Sequence, residues 1–216
     1  MNAATNDALV SHLEHDTCAL TTPRLKEAFR AIDRADFVHP DYRDEAYEDY
    51  PLPIGAGQTI SQPTTVAFML EKLSVEPGEK VLDVGAGSGW TTALLGSIVG
   101  EQGRVFGIEL VPELVVYGTR NIAKYKLPQA TIEEAARGVL GKPAEAPFDR
   151  ILVSAAADKL PQELVSQLKE GGVMVAPVGE SICRIEKLGT GKIEKKCYPG
   201  FAFVPLVVDK KVESGK

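Results

Sequence analysis

The sequence predicts one α/β domain built on a mostly parallel β-sheet, with helices on both faces, a helical N-terminal extension and an antiparallel C-terminal edge. Three observations support this fold class. Apolar runs typical of strands alternate with helical periodicity, the first of these strands leads through a glycine turn into a helix, and a hairpin pattern lies near the end of the chain. Strands that alternate with helices form parallel sheets with right-handed crossovers. A length of 216 residues suits a single domain.

The N-terminal part, residues 1–62, is predicted to contain two short helices and a long loop. Residues 6–15 carry apolar side chains on one helical face, and a second helix is expected from Pro23 with Thr22 as its cap. The segment 36–63 is rich in proline, glycine and tyrosine and has no sustained period. Its aromatic content favours an ordered loop, and ordered loops of this length are usually functional.

The central part, residues 63–180, is predicted to be a Rossmann-like core, and residues 181–216 to form a C-terminal hairpin and a last strand. A helix is expected from Pro63. Strands are expected at KVLDV, RVFGIEL, ATIEE, FDRILVSAA and GVMVAPVG, and further helices at TTALLGSIVG, PELVVYGTRNIAKY and PQELVSQLKEG, the last ended by glycine. CRIEKL and KIEKKC flank a GTG turn, and FAFVPLVV completes the strands. Ligands of such sheets bind beyond the carboxyl ends of the strands, so the ends of the first, second and fourth strands should meet the preceding loop.

Composition narrows the classes of partner. A net charge of −6 argues against nucleic acid, and no apolar run approaches the ~20 residues of a membrane span. The polar start of the chain lacks the pattern of a signal peptide, so we expect a cytoplasmic protein. A monomer is a separate expectation that this pattern does not support. Cys18, Cys183 and Cys197 are odd in number and widely spaced, which argues against a disulfide framework, structural zinc or any other metal site.

The most informative stretch is KVLDVGAGSGW, residues 80–90. Asp83 lies in the strand, and Gly85, Gly87 and Gly89 follow at alternate positions. Glycine permits the sharp turn and a close approach of a ligand. Dinucleotide sites usually have G-x-G-x-x-G spacing, whereas G-x-G-x-G preceded by an acid resembles motif I of the class I S-adenosylmethionine-dependent methyltransferases. That cofactor carries a sulfonium cation and no phosphate, so a neighbouring carboxylate suits it, and Glu109 at the end of the next strand can accept from both ribose hydroxyls.

A second motif lies in the loop, at PLPIGAGQTISQP, residues 51–63. Together with DRADFV at 33–38 and AYEDYPLPIG at 46–55, it resembles the protein-L-isoaspartate O-methyltransferase family. The resemblance extends from about residue 9 to residue 206, through APFDRILVSAAA, QLKEGGVMVAPVG and FVPL. It implies methyl transfer from S-adenosylmethionine to the α-carboxylate of L-isoaspartyl residues in damaged proteins, as a repair reaction. The methyl ester is a better leaving group, so a succinimide re-forms and part of it opens to normal aspartate.

The chemistry needs no general base, because a carboxylate with a pKa near 4 is already ionised at neutral pH. Catalysis would come from alignment of the carboxylate oxygen with the methyl group, worth up to about 7–11 kcal/mol. His12 and His15 are therefore expected to be solvated on the first helix, and His39 to be structural.

The resemblance also implies roles for individual residues. Ser61 would be the catalytic hydroxyl that contacts the substrate carboxylate, and capping of the helix at Pro63 is the alternative that we leave open. Further substrate contacts would come from Ala56, Gln58, Thr59, Ile60 and Leu206. The cofactor-binding set would be Asp83, Gly85, Ala86, Gly87, Ser88, Gly89, Glu109, Leu110, Ala136, Arg137, Gln58 and Thr59.

The chain departs from the family pattern in the adenine region. Where the family has G-D-G-x-x-G, alignment on Gly138 and Gly141 places Ala136 and Arg137 at the Gly-Asp positions. Arginine carries only donors, so it cannot accept from the adenine amine, and one lost hydrogen bond would weaken affinity by about 0.5–1.5 kcal/mol. Trp90 also replaces a family tyrosine, and a family glutamine has no clear match after residue 179.

Three other readings remain open from the sequence. A related enzyme could methylate a different peptide carboxylate, and the GQTISQP loop would serve both. A non-catalytic module that only recognises isoaspartyl sites is a second possibility, for which Arg137 is the argument. A nicotinamide-dependent dehydrogenase is the third, and the glycine spacing and Asp83 disfavour it.

Overall fold

The computed structural model describes residues 4–207 and begins with two helices, α1 (Asn6–His15) and α2 (Pro23–Ala31). The hydroxyl of Thr5 accepts a hydrogen bond from the N–H of Ala8 at 3.2 Å and so caps α1. Thr22 is the N-cap residue of α2 and Pro23 its first residue, as expected, but the expected side-chain capping bond is wrong. The side chain of Thr22 makes no cap and donates instead to Glu71 at 2.7 Å, which ties α2 to the helix that follows the loop.

The segment predicted as a loop contains regular structure. Two short 3-10 helices span Arg34–Phe37 and Pro40–Glu45. They are followed by an antiparallel hairpin of β1 (Leu52–Gly55) and β2 (Gln58–Ile60). The inward side chains of the hairpin, including Ile54, are buried. The hairpin is therefore anchored by its buried apolar residues, and this anchoring explains why the segment is ordered.

The main sheet has seven strands in the order β5-β4-β3-β6-β7-β8-β9. Their bounds are β3 Lys80–Val84, β4 Arg104–Glu109, β5 Ala130–Glu134, β6 Phe148–Val153, β7 Leu168–Val178, β8 Ser181–Lys187 and β9 Ile193–Pro199. β3 to β7 pair in parallel, and β8 and β9 add an antiparallel edge. The order reverses beside β3, because β4 lies on one side of it and β6 on the other. The predicted fold class is confirmed, and the reversal is where open sheets bind ligands.

Helices cover both faces of this sheet and divide the core in two. They are α3 (Pro63–Leu73), α4 (Trp90–Val99), α5 (Pro112–Ile122) and α6 (Gln162–Ser166). Alternate side chains of β3 serve the two cores, since Val81 packs in one with α3, α4 and α5, while Leu82 packs in the other with α6. None of the helices within residues 4–207 is long and apolar enough to cross a membrane. The division of the domain at residues 62 and 180 stays a prediction.

One predicted helix is shorter than expected, and one predicted strand is wrong. The helix at PQELVSQLKEG ends at Ser166, because Leu168 is already in β7 and pairs with Phe148 of β6. The last strand at FAFVPLVV is absent from residues 201–207, where only Pro205 forms an isolated bridge to Ala156. The final residue of that motif lies outside the described residues.

The cysteine prediction also fails, because Cys183 and Cys197 form a disulfide bond. The two residues stand directly opposite each other in the β8–β9 pair, so the hairpin brings together side chains that are fourteen residues apart in sequence. Cys18 is free and exposed.

The histidine predictions hold in part. His12 is not solvated, because only 14% of its side chain is exposed and its Nδ1 lies 2.8 Å from a carboxylate oxygen of Asp16. His15 is exposed, and His39 has the expected structural role of capping the second 3-10 helix.

Candidate active site

A cavity of about 210 Å³ lies at the carboxyl ends of β3, β4 and β6, against the β1–β2 hairpin. This is the edge of the sheet that the strand order predicts for a ligand. The residues predicted for the site that line the cavity are Gln58, Thr59, Ile60, Ser61, Gly85, Ala86, Gly87, Ser88, Glu109, Leu110, Ala136 and Leu206. Segments far apart in the sequence therefore share one concave surface.

The glycine turn between β3 and α4 forms the floor of this surface. Gly85 and Gly89 have φ values of +82° and +87°, a region that side chains strongly disfavour. A Cβ atom on Gly89 would lie 2.9 Å from the carbonyl oxygen of Gly118, so the turn also packs tightly against α5. Within residues 4–207 no side chain caps α4, whose first residue is Trp90. The backbone N–H groups in the first turn of α4, and the positive end of its dipole, can therefore interact with polar groups near the glycine turn.

Asp83 supports the turn from within the protein and does not line the cavity. It is fully buried, and its Oδ2 accepts hydrogen bonds from the hydroxyls of Thr91 and Thr92, each at 2.7 Å. Its Oδ1 is buried without a hydrogen-bond partner in the described structure. Burial raises the pKa of Asp83 to about 6, although the two threonine hydroxyls act in the opposite direction. A cation bound nearby would complete the interactions of this carboxylate.

Glu109 joins the end of β4 to the glycine turn. Its Oε2 accepts from the N–H of Gly87 at 2.9 Å, and its Oε1 accepts from the N–H groups of Leu110 and Val111 at 2.8 and 3.0 Å. Only 7% of the residue is exposed, yet it lines the cavity. A carboxylate has about four acceptor positions. Three backbone bonds fix the orientation of the group and leave acceptor capacity for a ligand.

Ser61 lies on the hairpin side of the cavity, between β2 and α3. The capping alternative for Ser61 is wrong, because Asp49 performs that function. Its Oδ1 accepts from the N–H of Thr64 at 2.9 Å, and its Oδ2 accepts from the Thr64 hydroxyl at 2.7 Å. The carbonyl oxygen of Ser61 accepts from Arg34 at 3.2 Å. The backbone of Ser61 is held in place, and the side chain has no role in starting the helix.

Four of the predicted site residues do not line the cavity. Ala56 is exposed at the hairpin tip, Asp83 and Gly89 lie beneath the surface, and Arg137 is exposed beyond the end of β5. In the same region Ala136 lines the cavity, and its carbonyl oxygen already accepts from the N–H of Val139 at 3.1 Å.

Sequence reasoning missed several lining residues, most of them small or apolar. They follow β6 or lie in the segments after β5 and β9, and include Ser154, Ala155, Val139, Leu140, Gly141, Val204, Pro205 and Val207. The end of β6 was expected at the site, and the small residues after FDRILV were the signal that could have identified Ser154 and Ala155. Loop residues such as Leu140 carry no polar signal. Trp90 also lines the cavity, and it packs edge-on against Phe29 with ring centroids 5.6 Å apart.

Comparison with known proteins decides the family. A model of the protein-L-isoaspartate(D-aspartate) O-methyltransferase family matches residues 4–211. This chain belongs to that family. Among relatives named protein-L-isoaspartate O-methyltransferase, one from Methanopyrus kandleri is 45% identical over 188 residues, covering 85% of this chain and 83% of the relative. One from Anaeromyxobacter dehalogenans is 48% identical over 190 residues, covering 85% and 88%.

A solved structure supports the same family. It is a crystal structure of a protein from Plasmodium falciparum in complex with S-adenosyl-L-homocysteine, described as a protein-L-isoaspartate O-methyltransferase. The sequences are 26% identical, the TM-score is 0.81, and the match covers 94% of this chain and 98% of the other. A second structure named protein-L-isoaspartate O-methyltransferase has the same TM-score at 23% identity, and supports the fold.

Proposed function

We propose that this chain transfers a methyl group from S-adenosylmethionine to the α-carboxylate of L-isoaspartyl residues in damaged proteins. The observation that carries the proposal is that the GQTISQP segment and the glycine turn line one cavity. Membership of the isoaspartyl methyltransferase family supports the reaction class. The partners would be proteins and peptides that contain isoaspartate, and the cytoplasm stays the expected location.

The cavity has the chemistry that S-adenosylmethionine requires. Glu109 offers acceptor capacity for the ribose hydroxyls, and the glycine turn allows close approach of the amino-acid portion. The unpartnered Oδ1 of Asp83 supplies a buried negative potential beside the turn. Ile108, Leu110 and Leu140 give apolar surface for adenine. Because Arg137 is exposed and carries only donors, a backbone carbonyl would accept from the adenine amine in its place.

The substrate would enter from the hairpin side. Backbone groups of β2, at Gln58, Thr59 and Ile60, would hold the peptide main chain, and Leu206, which also lines the cavity, would contact the substrate. Main-chain contacts tolerate many side chains, which suits an enzyme that acts on damage in many sequences. The hydroxyl of Ser61 would donate to one carboxylate oxygen of the substrate and leave the other oxygen free to react.

The reaction is a direct displacement. S-adenosylmethionine supplies, when bound, an activated methyl group and a neutral thioether leaving group. A C–O bond to the carboxylate forms as the C–S bond breaks, so the products are a methyl ester and S-adenosyl-L-homocysteine, and no proton is transferred. No histidine among residues 4–207 lines the cavity, and none is needed. The protein contributes alignment and exclusion of water.

The experiment that tests the proposal is transfer of labelled methyl from S-adenosylmethionine to two matched peptides. One carries L-isoaspartate and the other normal aspartate at the same position. Label on the first peptide alone supports the proposal and shows that Arg137 is tolerated. Label on neither peptide contradicts it, and calorimetry with the cofactor would then separate a different acceptor, if the cofactor binds, from a binding module, if it does not.

A further inference from the structure

Arg34 is a buried charge that the proposed reaction does not use. Its solvent exposure is 0%, and it belongs to the short 3-10 helix after α2. Burial lowers its pKa to about 10, so the guanidinium still carries its charge at neutral pH. A buried charge is costly unless hydrogen bonds replace its hydration. The contacts of Arg34 therefore indicate what the protein gains from placing it there.

The guanidinium donates to backbone carbonyls on both sides of the β1–β2 hairpin. Nη1 donates to the carbonyl oxygens of Ala46 and Glu48 at 2.7 and 3.2 Å. Nη2 donates to the carbonyl oxygens of Tyr50 and Ser61 at 3.0 and 3.2 Å. Three acceptors precede the hairpin and the fourth follows it, so one side chain closes the base of the hairpin. The acceptor that follows it belongs to the proposed catalytic serine.

The same guanidinium contacts the cofactor side of the cavity. Its central carbon lies 5.5 Å from the ring centroid of Trp90, within the range of a cation–π contact. Trp90 begins α4 directly after the glycine turn, and it lines the cavity. Arg34 thus touches both the segment that carries Ser61 and the element that carries the glycine turn.

We propose that Arg34 is a positioning residue that fixes Ser61 and the hairpin relative to the glycine turn. This proposal rests on the proposed function, in which the methyl acceptor binds on the hairpin side of the cavity and the methyl donor binds at the glycine turn. Loss of the link would leave each half-site formed but would disturb their alignment, and alignment is the main source of catalysis here. Arginine is required because its planar fork reaches several carbonyls at once, whereas a lysine ammonium donates from one point.

The test compares Arg34→Lys with a control, Ile185→Ala, in the full chain. Ile185 is fully buried in β8, in the core on the other face of the sheet. For Arg34→Lys we expect kcat/KM for an isoaspartyl peptide to fall by about tenfold or more, while the Kd of S-adenosylmethionine changes by less than about twofold. Amide hydrogen exchange should increase within residues 52–60 and stay unchanged in β3 and β4. The control should lower the Tm and leave kcat/KM within about twofold of the parent.

Several results would overturn the inference. They are an equal loss of kcat/KM in both variants, a parallel rise in the cofactor Kd, and an exchange increase spread over the whole domain. An Arg34→Lys chain without a cooperative unfolding transition would also overturn it, because Arg34 would then be required for folding rather than for position. If the parent chain itself fails to methylate the peptide, the proposed function fails, and the exchange pattern together with the cofactor Kd still decides the role of Arg34.

Discussion

The burial of Asp83 predicts an unusual pH dependence of stability, which the substitution Asp83→Asn should remove. The folded-state pKa is about 6, compared with an ordinary value of 3.8. The folded protein therefore binds the proton more tightly than the unfolded chain, so between these two values stability falls as the pH rises. A shift of about two units corresponds to about 3 kcal/mol of destabilisation once the pH is above both pKa values.

The assay is urea unfolding of the parent and of Asp83→Asn at about pH 7.5 and about pH 4.5, where linkage gives roughly 2 kcal/mol of the effect. Asparagine keeps an acceptor for the two threonine hydroxyls but carries no charge, and other carboxylates titrate equally in both proteins. The free energy of unfolding of the parent minus that of the variant should be larger at about pH 4.5 than at about pH 7.5, by roughly 2 kcal/mol. A difference that is independent of pH, or one that grows as the pH rises, would refute the assignment of a raised pKa to Asp83.

Three further substitutions test the roles of individual residues. Ser61→Ala should lower kcat by about 100-fold, the scale on which misplacement of a reacting group slows a reaction that depends on alignment, with an unchanged cofactor Kd by calorimetry; unchanged turnover would remove the role given to the hydroxyl. Glu109→Gln should raise the cofactor Kd by about tenfold, because the amide nitrogen carries only donors and cannot accept from the N–H of Gly87 or from a ribose hydroxyl; equal affinity in both proteins would show that Glu109 does not bind the cofactor. Asp49→Ala should lower the free energy of unfolding by about 1–2 kcal/mol, since the N–H of Thr64 loses its cap, and urea unfolding that matches the parent would contradict this.

The central sheet and the cofactor turn were predictable because their signals are local. The run at residues 80–84 is apolar and β-branched, the three glycines follow directly, and helical spacing resumes after them. The predicted strands accordingly match β3 to β5 closely, while the fourth predicted strand begins with β6 at Phe148 but runs three residues past its end at Val153. Glu109 followed from the same logic, because it ends the next strand along the chain. Parallel topology then placed both strand ends at one edge.

The missed features depend on contacts between distant residues. The cap on α3 comes from Asp49, which lies in the loop before it, and the disulfide requires the register of β8 against β9. The four carbonyl contacts of Arg34 give no signal in the sequence, because their acceptors are backbone atoms. The expected last strand fails where Pro205 has no N–H to donate to a sheet. Local patterns do not contain the information for the cap, the disulfide or the carbonyl contacts, whereas the proline inside FAFVPLVV was a local signal against a strand.

The central claim is that the cavity selects the α-carboxylate of isoaspartate among ordinary carboxylates. The most direct measurement is mass-spectrometric location of the methyl group in a single peptide that contains L-isoaspartate, normal aspartate, glutamate and a free C-terminal carboxylate. After brief incubation with S-adenosylmethionine, the account predicts one methyl ester, on the isoaspartyl α-carboxylate. A methyl group on the aspartate side chain, on the glutamate or on the C-terminal carboxylate would contradict it.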